Sequence, residues 1–179
     1  MGFKKNTFFI LFILLQKMGV VLYAQVTNFP TPTGNPKQLF YLQRTPNTNT
    51  IICELNTLNG KIDEDEPVHV YWLRYQEKGQ RQELNFIQRK FAYGMKINKM
   101  AGGGYQLHFV SYKKQKMYLQ LGADKQYHVF AIINQKAAIL SRLYLHINGG
   151  TFWSPNVEYI ELTGIDPATQ QVVKERKKI

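Results

Sequence analysis

The sequence predicts a mainly β protein, an antiparallel barrel or sandwich of about eight to nine strands with one short helix. Short runs rich in β-branched and aromatic residues recur along the chain, separated by turn signals built on Gly, Pro, Asn and Asp. Helical spacing of apolar residues occurs in one stretch alone. The order lacks the strand-helix alternation of a doubly wound parallel sheet, and no repeat of solenoid or propeller period is present.

Residues 1–24 read as a secretory signal peptide. Lys4 and Lys5 give a positive start, and 7–15 (TFFILFILL) is an apolar run too short for a bilayer core, which needs about 20 residues. Ala24 supplies the small residue before a cut at Gln25. Lys17, between the apolar run and the cut, is unusual there, and the competing reading is an uncleaved anchor or a buried first helix. The expected mature chain has no transmembrane segment and resides in the periplasm or outside the cell. Loss of Lys4, Lys5 and Lys17 from 23 basic residues leaves 20 against 12 acidic ones, a net charge of +8. That excess favours anionic surfaces without naming one, and no nucleic-acid recognition motif accompanies it.

Residues 25–37 hold three prolines and a glycine and read as an extended lead-in to one domain over 38–176, followed by a tail at 177–179, with fraying expected from Lys174 to Ile179. Strands are expected at 38–44 and 50–55, forming a hairpin, with a turn at Asn59-Gly60. The acidic run 63–66 lacks the spacing of an EF-hand loop and reads as solvated. The strongest strand pattern is 68–75 (VHVYWLRY). Leu84, Ile87 and Phe91 then recur at helical spacing, predicting a helix over 82–92 that stops at Gly94. Gly102-Gly103-Gly104 lacks the Lys-Ser or Lys-Thr of a phosphate loop and reads as a turn. Further strands are expected at 105–112, 116–121, 127–134, 137–147, 157–163 and 171–175.

The lone cysteine, Cys53, cannot form an internal disulfide and lies in an apolar strand, so it reads as an inert buried thiol. His69, His108, His128 and His146 all fall in expected strands, but none is spaced from another as a local ligand pair; no metal or other cofactor is expected. Ser111 lacks a nucleophile elbow. Alternation places Tyr71 and Tyr75 on one face of their strand and Trp72 and Arg74 on the other, with Tyr93, Tyr105 and Trp153 elsewhere. Aromatic rings beside an arginine suit a stacking platform for a sugar or anionic group, and equally a β core. Trp72, Arg74, Tyr93 and His108 are the candidate ligand-binding residues.

The order of the blocks 38–44 (QLFYLQR), 47–50 (NTNT), 67–75 (PVHVYWLRY), 87–94 (IQRKFAYG), 107–113 (LHFVSYK) and 152–161 (FWSPNVEYIE) resembles the bacterial domain of unknown function family 4833. The resemblance runs from about Pro36 to Arg176. It implies an aromatic residue in place of Cys53 and a glycine in place of Gln135, and an exported protein of a Gram-negative bacterium such as a member of the Bacteroidota. It implies no activity, substrate or catalytic residue. The leading expectation is a non-enzymatic binding module, with a concave barrel mouth or aromatic sheet face contacting a lipid, glycan or envelope component. The alternatives are an envelope hydrolase using His69 and His108 with Arg74 or Tyr93, and a structural partner in an envelope assembly.

Overall fold

A computed structural model describes residues 29–151 and 154–179. The expected signal peptide, residues 25–28 of the lead-in and Trp153 lie outside the described residues. Strands take up 61% of the described residues, with one α-helix among them.

The first hairpin pairs β1 (Gln38–Arg44) with β2 (Asn47–Leu55). A two-stranded ribbon follows, β3 (Thr57–Leu58) and β4 (Lys61–Ile62), turned by Asn59 and Gly60 at φ 52° and 77° as the Asn-Gly signal demands. β5 (Val68–Arg74) returns alongside β2, and β6 (Gln80–Glu83) pairs with β5 as an exposed, wholly polar edge. After the helix α1 (Phe86–Phe91) come β7 (Met95–Lys99), β8 (Tyr105–Phe109), β9 (Tyr112–Leu121) and β10 (Tyr127–Ile133), each antiparallel to the one before it. The chain ends with β11 (Lys136–Gly150), β12 (Pro155–Ile165) and β13 (Val172–Lys178).

β11 joins everything else. Its residues Lys136 to Ile139 pair antiparallel with β10, while Arg142 to Leu145 pair with β1, and that second ladder is parallel. Since β12 pairs with β11 from Ile139 onward, meeting the end of the first stretch and all of the second, β10 and β1 share the opposite edge, one beyond the other. The register with β12 slips between Leu140 and Arg142, where the partner changes, and a slip of this kind bends and twists a strand. Two arms therefore leave β11, β1-β2-β5-β6 and β10-β9-β8-β7, and curl face to face. Phe40 of one arm meets Phe109 of the other at 6.2 Å between ring centroids. The core fills the space between: Leu42, Ile51, Cys53 and Val70 from one side, Leu107, Met117, Leu119 and Val129 from the other. Cys53 is fully buried, and burial pushes its thiol up, away from the reactive thiolate.

The result is a curled nine-strand half-barrel, open rather than closed, and not wholly antiparallel. The expected barrel or sandwich fails to close because the end strands β6 and β7, which α1 links along the chain, do not pair. Thirteen strands are present among the described residues against the expected eight to nine. Those missed, β3, β4, β6 and β7, are short or polar. The helix is half its expected length. Residues 80–83 extend along β5 instead, and Asn85 starts α1 with a reciprocal capping box to Gln88. β13 runs on into the expected tail, with Lys177 and Lys178 paired to Ile160 and Tyr159.

Residues 29–37 lie across the outward face of the first arm. Pro30 O accepts from Gln43 Nε2 at 2.8 Å, Phe29 packs edge-on to Tyr144 at 5.4 Å, and Pro32 is buried. Under this strap Ile52, which points away from the main core, is only 1% exposed, and Thr50 and Gln43 are buried beside it.

Gly94 lets the chain leave α1 and turn beneath it, because a Cβ there would sit 1.9 Å from the carbonyl oxygen of Arg89. Gly94→Ala should lower the unfolding free energy by about 1–3 kcal/mol, as overpacking does. Gly102→Ala, with nothing within 4 Å of the new carbon, should leave the urea midpoint unchanged.

Candidate functional site

The unpaired seam of the half-barrel holds a cleft of about 440 Å³. Alternation on β5 turns Val68 and Val70 inward, and Leu84, between β6 and α1, is buried beside them. Met95 and Ile97 of β7 and Val110 after β8 complete an apolar floor. The rims carry opposite charges: Asp65 and Glu66 on the loop before β5, Arg89 and Lys90 on α1 and Lys96 on β7. Two ion pairs cross the seam, Arg89 to Glu66 at 3.7 Å and Lys99 to Glu64 at 2.6 Å. All four side chains are exposed, so each pair contributes little and is weakened by salt. Among the described residues, Lys90 and Lys96 belong to no ion pair. No helix of the described residues is long and apolar enough to cross a membrane.

Of the four candidate residues, the structure brings Trp72 and Tyr93 together. Their rings meet edge to face at 5.1 Å; Trp72 lies two residues beyond cleft-lining Val70 on the same side of β5, and Tyr93 directly precedes cleft-lining Gly94. Burial pushes the Tyr93 phenol up, opposed by the Arg44 guanidinium, which hydrogen-bonds it. Trp72 Nε1 and Arg44 Nε are buried without a partner among the described residues. Arg74 shares Trp72's side of β5 but is engaged at its end by Gln82 and Glu77. His108 alternates with buried Leu107 and Phe109 and so faces outward on the other arm, opposite Lys96. His69 faces outward on the first arm, opposite Glu54 of β2. The pair His69 and His108 therefore shares no site, and neither joins Arg74 or Tyr93 on the inward side.

Sequence reasoning missed the floor residues Leu84, Met95, Ile97 and Val110. The alternation of Met95 and Ile97 with Lys96 and Asn98 is the available signal, a half-buried strand hidden in a polar stretch.

A second cluster lies on the outward face of β2, β5 and β6. His69 Nε2 bonds Glu83 at 2.7 Å, while its Nδ1 lies 2.9 Å from Arg81 Nη2 and 3.2 Å from Glu54 Oε1. Arg81 also bridges to Glu54 at 3.2 Å and stacks 3.8 Å over the Tyr71 ring. Asn35 of the strap donates to Glu54 Oε2 at 2.7 Å and to the Tyr71 hydroxyl at 3.1 Å. With both imidazole nitrogens engaged by different groups, the cluster is a fastening for the strap rather than an open acid-base pair. Among the described residues no three metal-capable side chains converge.

Burial pushes the Glu54 carboxyl up, but hydrogen bonds from Asn35 and His69 and the charge of Arg81 outweigh it, and the net shift is below the usual 4.5. A carboxyl lowered by folding stabilises fully above its unfolded value and loses that contribution as pH falls through the folded value. Urea midpoints measured from about pH 6 to pH 3 should therefore fall less steeply for Glu54→Gln than for the native chain. At neutral pH the variant should be less stable by about 1–3 kcal/mol.

Neither the curated proteins nor the solved structures compared with the chain gave a match. A family model does match, over residues 40–176, which runs from the third residue of β1 into β13 and leaves the strap outside. On that match, the chain belongs to the family described as "Domain of unknown function (DUF4833)".

Proposed function

We propose that this protein is a non-enzymatic binding module, exported by residues 1–24, whose seam cleft takes a small amphipathic ligand with an apolar body and an anionic head. The cleft carries the reading. Its volume falls within the about 300–1,000 Å³ of small-molecule sites, and its floor is apolar while charge is confined to the rims. An acyl or aryl body would lie over Val70, Leu84 and Ile97, and its head would meet Lys90, a rim cation left outside the ion pairs. The closed His69 cluster and the separation of His69 from His108 favour binding over hydrolysis.

The test uses 1-anilinonaphthalene-8-sulfonate, which joins an apolar body to an anion, with dodecanoate as competitor. The native protein should bind the dye saturably and release it to dodecanoate. Ile97→Glu, which places a carboxylate in the floor, should weaken both at least about tenfold, the effect of burying an unpaired charge against the ligand. Equal binding by the native protein and a folded Ile97→Glu variant would rule this reading out.

A further inference from the structure

Helix α1 has an apolar surface that the cleft does not use. Helical spacing of Leu84, Ile87 and Phe91 leads one to expect a buried stripe, yet Leu84 alone enters the core. Phe86 is 72% exposed, Ile87 42% and Phe91 52%, on a helix of six residues. Exposed apolar side chains gathered in this way mark an interaction surface.

The charges around them indicate its partner. The Lys90 ammonium lies 5.3 Å from the Phe86 ring and 5.4 Å from that of Phe91, so it travels with the apolar surface. Arg89 is held by Glu66, whereas Lys90 and Lys96 carry charge outside any ion pair among the described residues. The patch therefore pairs bulky apolar groups with unneutralised cations, complementary to a surface of acyl chains beneath phosphates. A second copy of the chain is a poorer fit, since a stable interface buries about 800 Å² on each partner and three side chains on a short helix cover far less.

We propose that α1 docks the protein on an anionic lipid surface, with Phe86 and Ile87 entering the acyl boundary and Lys90 remaining at the phosphates. This contact is distinct from ligand binding, although Arg89 and Lys90 also line the cleft, so the docked helix sets the cleft mouth against the lipid.

The experiment uses the chain from Gln25 onward, which keeps every described residue while removing the apolar run at 7–15, and measures cosedimentation with vesicles. Vesicles of phosphatidylglycerol and phosphatidylcholine should carry the protein down, and phosphatidylcholine alone should do so much less. The double variant Phe86→Ser with Ile87→Ser, at exposed positions that leave the core intact, should weaken binding at least about tenfold. Lys90→Gln should weaken it severalfold and flatten its salt dependence. Ile97→Glu should retain vesicle binding even where it abolishes dye binding, which separates this proposal from the cleft reading. Absence of vesicle binding by the native protein, or undiminished binding by the folded double variant, overturns the proposal. So does a native dimer, seen by sedimentation equilibrium, that the double variant converts to a monomer while neither binds vesicles.

Discussion

The fold depends on one strand serving two partners along one edge. β11 has hydrogen-bonding groups for β12 on one side and, on the other, for β10 and then β1. A straight strand would lay both arms in one plane and leave both apolar faces in water. The slip between Leu140 and Arg142 gives β11 the bend that lets the arms face one another. Phe40 and Phe109 can then share a core although they belong to strands at different positions along β11. Gly164 belongs to the same device: opposite Leu140, a Cβ there would come within 2.6 Å of the Ile139 carbonyl oxygen.

An arrangement that begins from a shared edge has two far ends, β6 and β7, and these need not meet. Here the link between them is α1, and the polar surface of β6 offers the core nothing to bury. What remains is an apolar floor covered by neither strand nor helix. The exposed ion pairs from Glu64 and Glu66 to Lys99 and Arg89 cross this gap without sealing it. The cleft is thus a consequence of incomplete closure, and its dipolar rim follows from an acidic loop on one side of the seam and a basic helix and strand on the other. The four consecutive acidic residues serve as that loop: Asp63 turns it by accepting from the backbone of Asp65 and Glu66.

On the opposite side of the first arm, the strap solves a different problem. Ile52 and Tyr71 on the outward face would be exposed without a cover, and residues 29–37 supply it. Beside the packing of Phe29 and Pro32, polar fastenings hold the strap, and Asn35 engages both Glu54 and Tyr71. The family match begins only at residue 40, so this cover is built from sequence outside the matched region.

The sequence by itself determined the local elements. β1 follows the run QLFYLQR from end to end, the Asn59-Gly60 turn forms where the dipeptide stands, and Cys53 is buried as its apolar strand implies. Each rests on chemistry within a few residues: β-branched and aromatic preference, tolerance of positive φ, alternation. Tertiary structure decided which edges meet. Nothing local in β1 announces a parallel partner about a hundred residues away, and nothing in β6 or β7 announces that they stay apart. It also decided which apolar residues are buried, since periodicity shows that side chains share a face but not whether another layer covers it. Leu84 and Ile87 satisfy the same helical spacing, yet the edge of β5 draws one into the core and leaves the other in solvent. For the same reason Trp72 and Tyr93 meet while His108 lies elsewhere: alternation gave the face of Trp72 on its strand, but the curl of the two arms set which residues it meets.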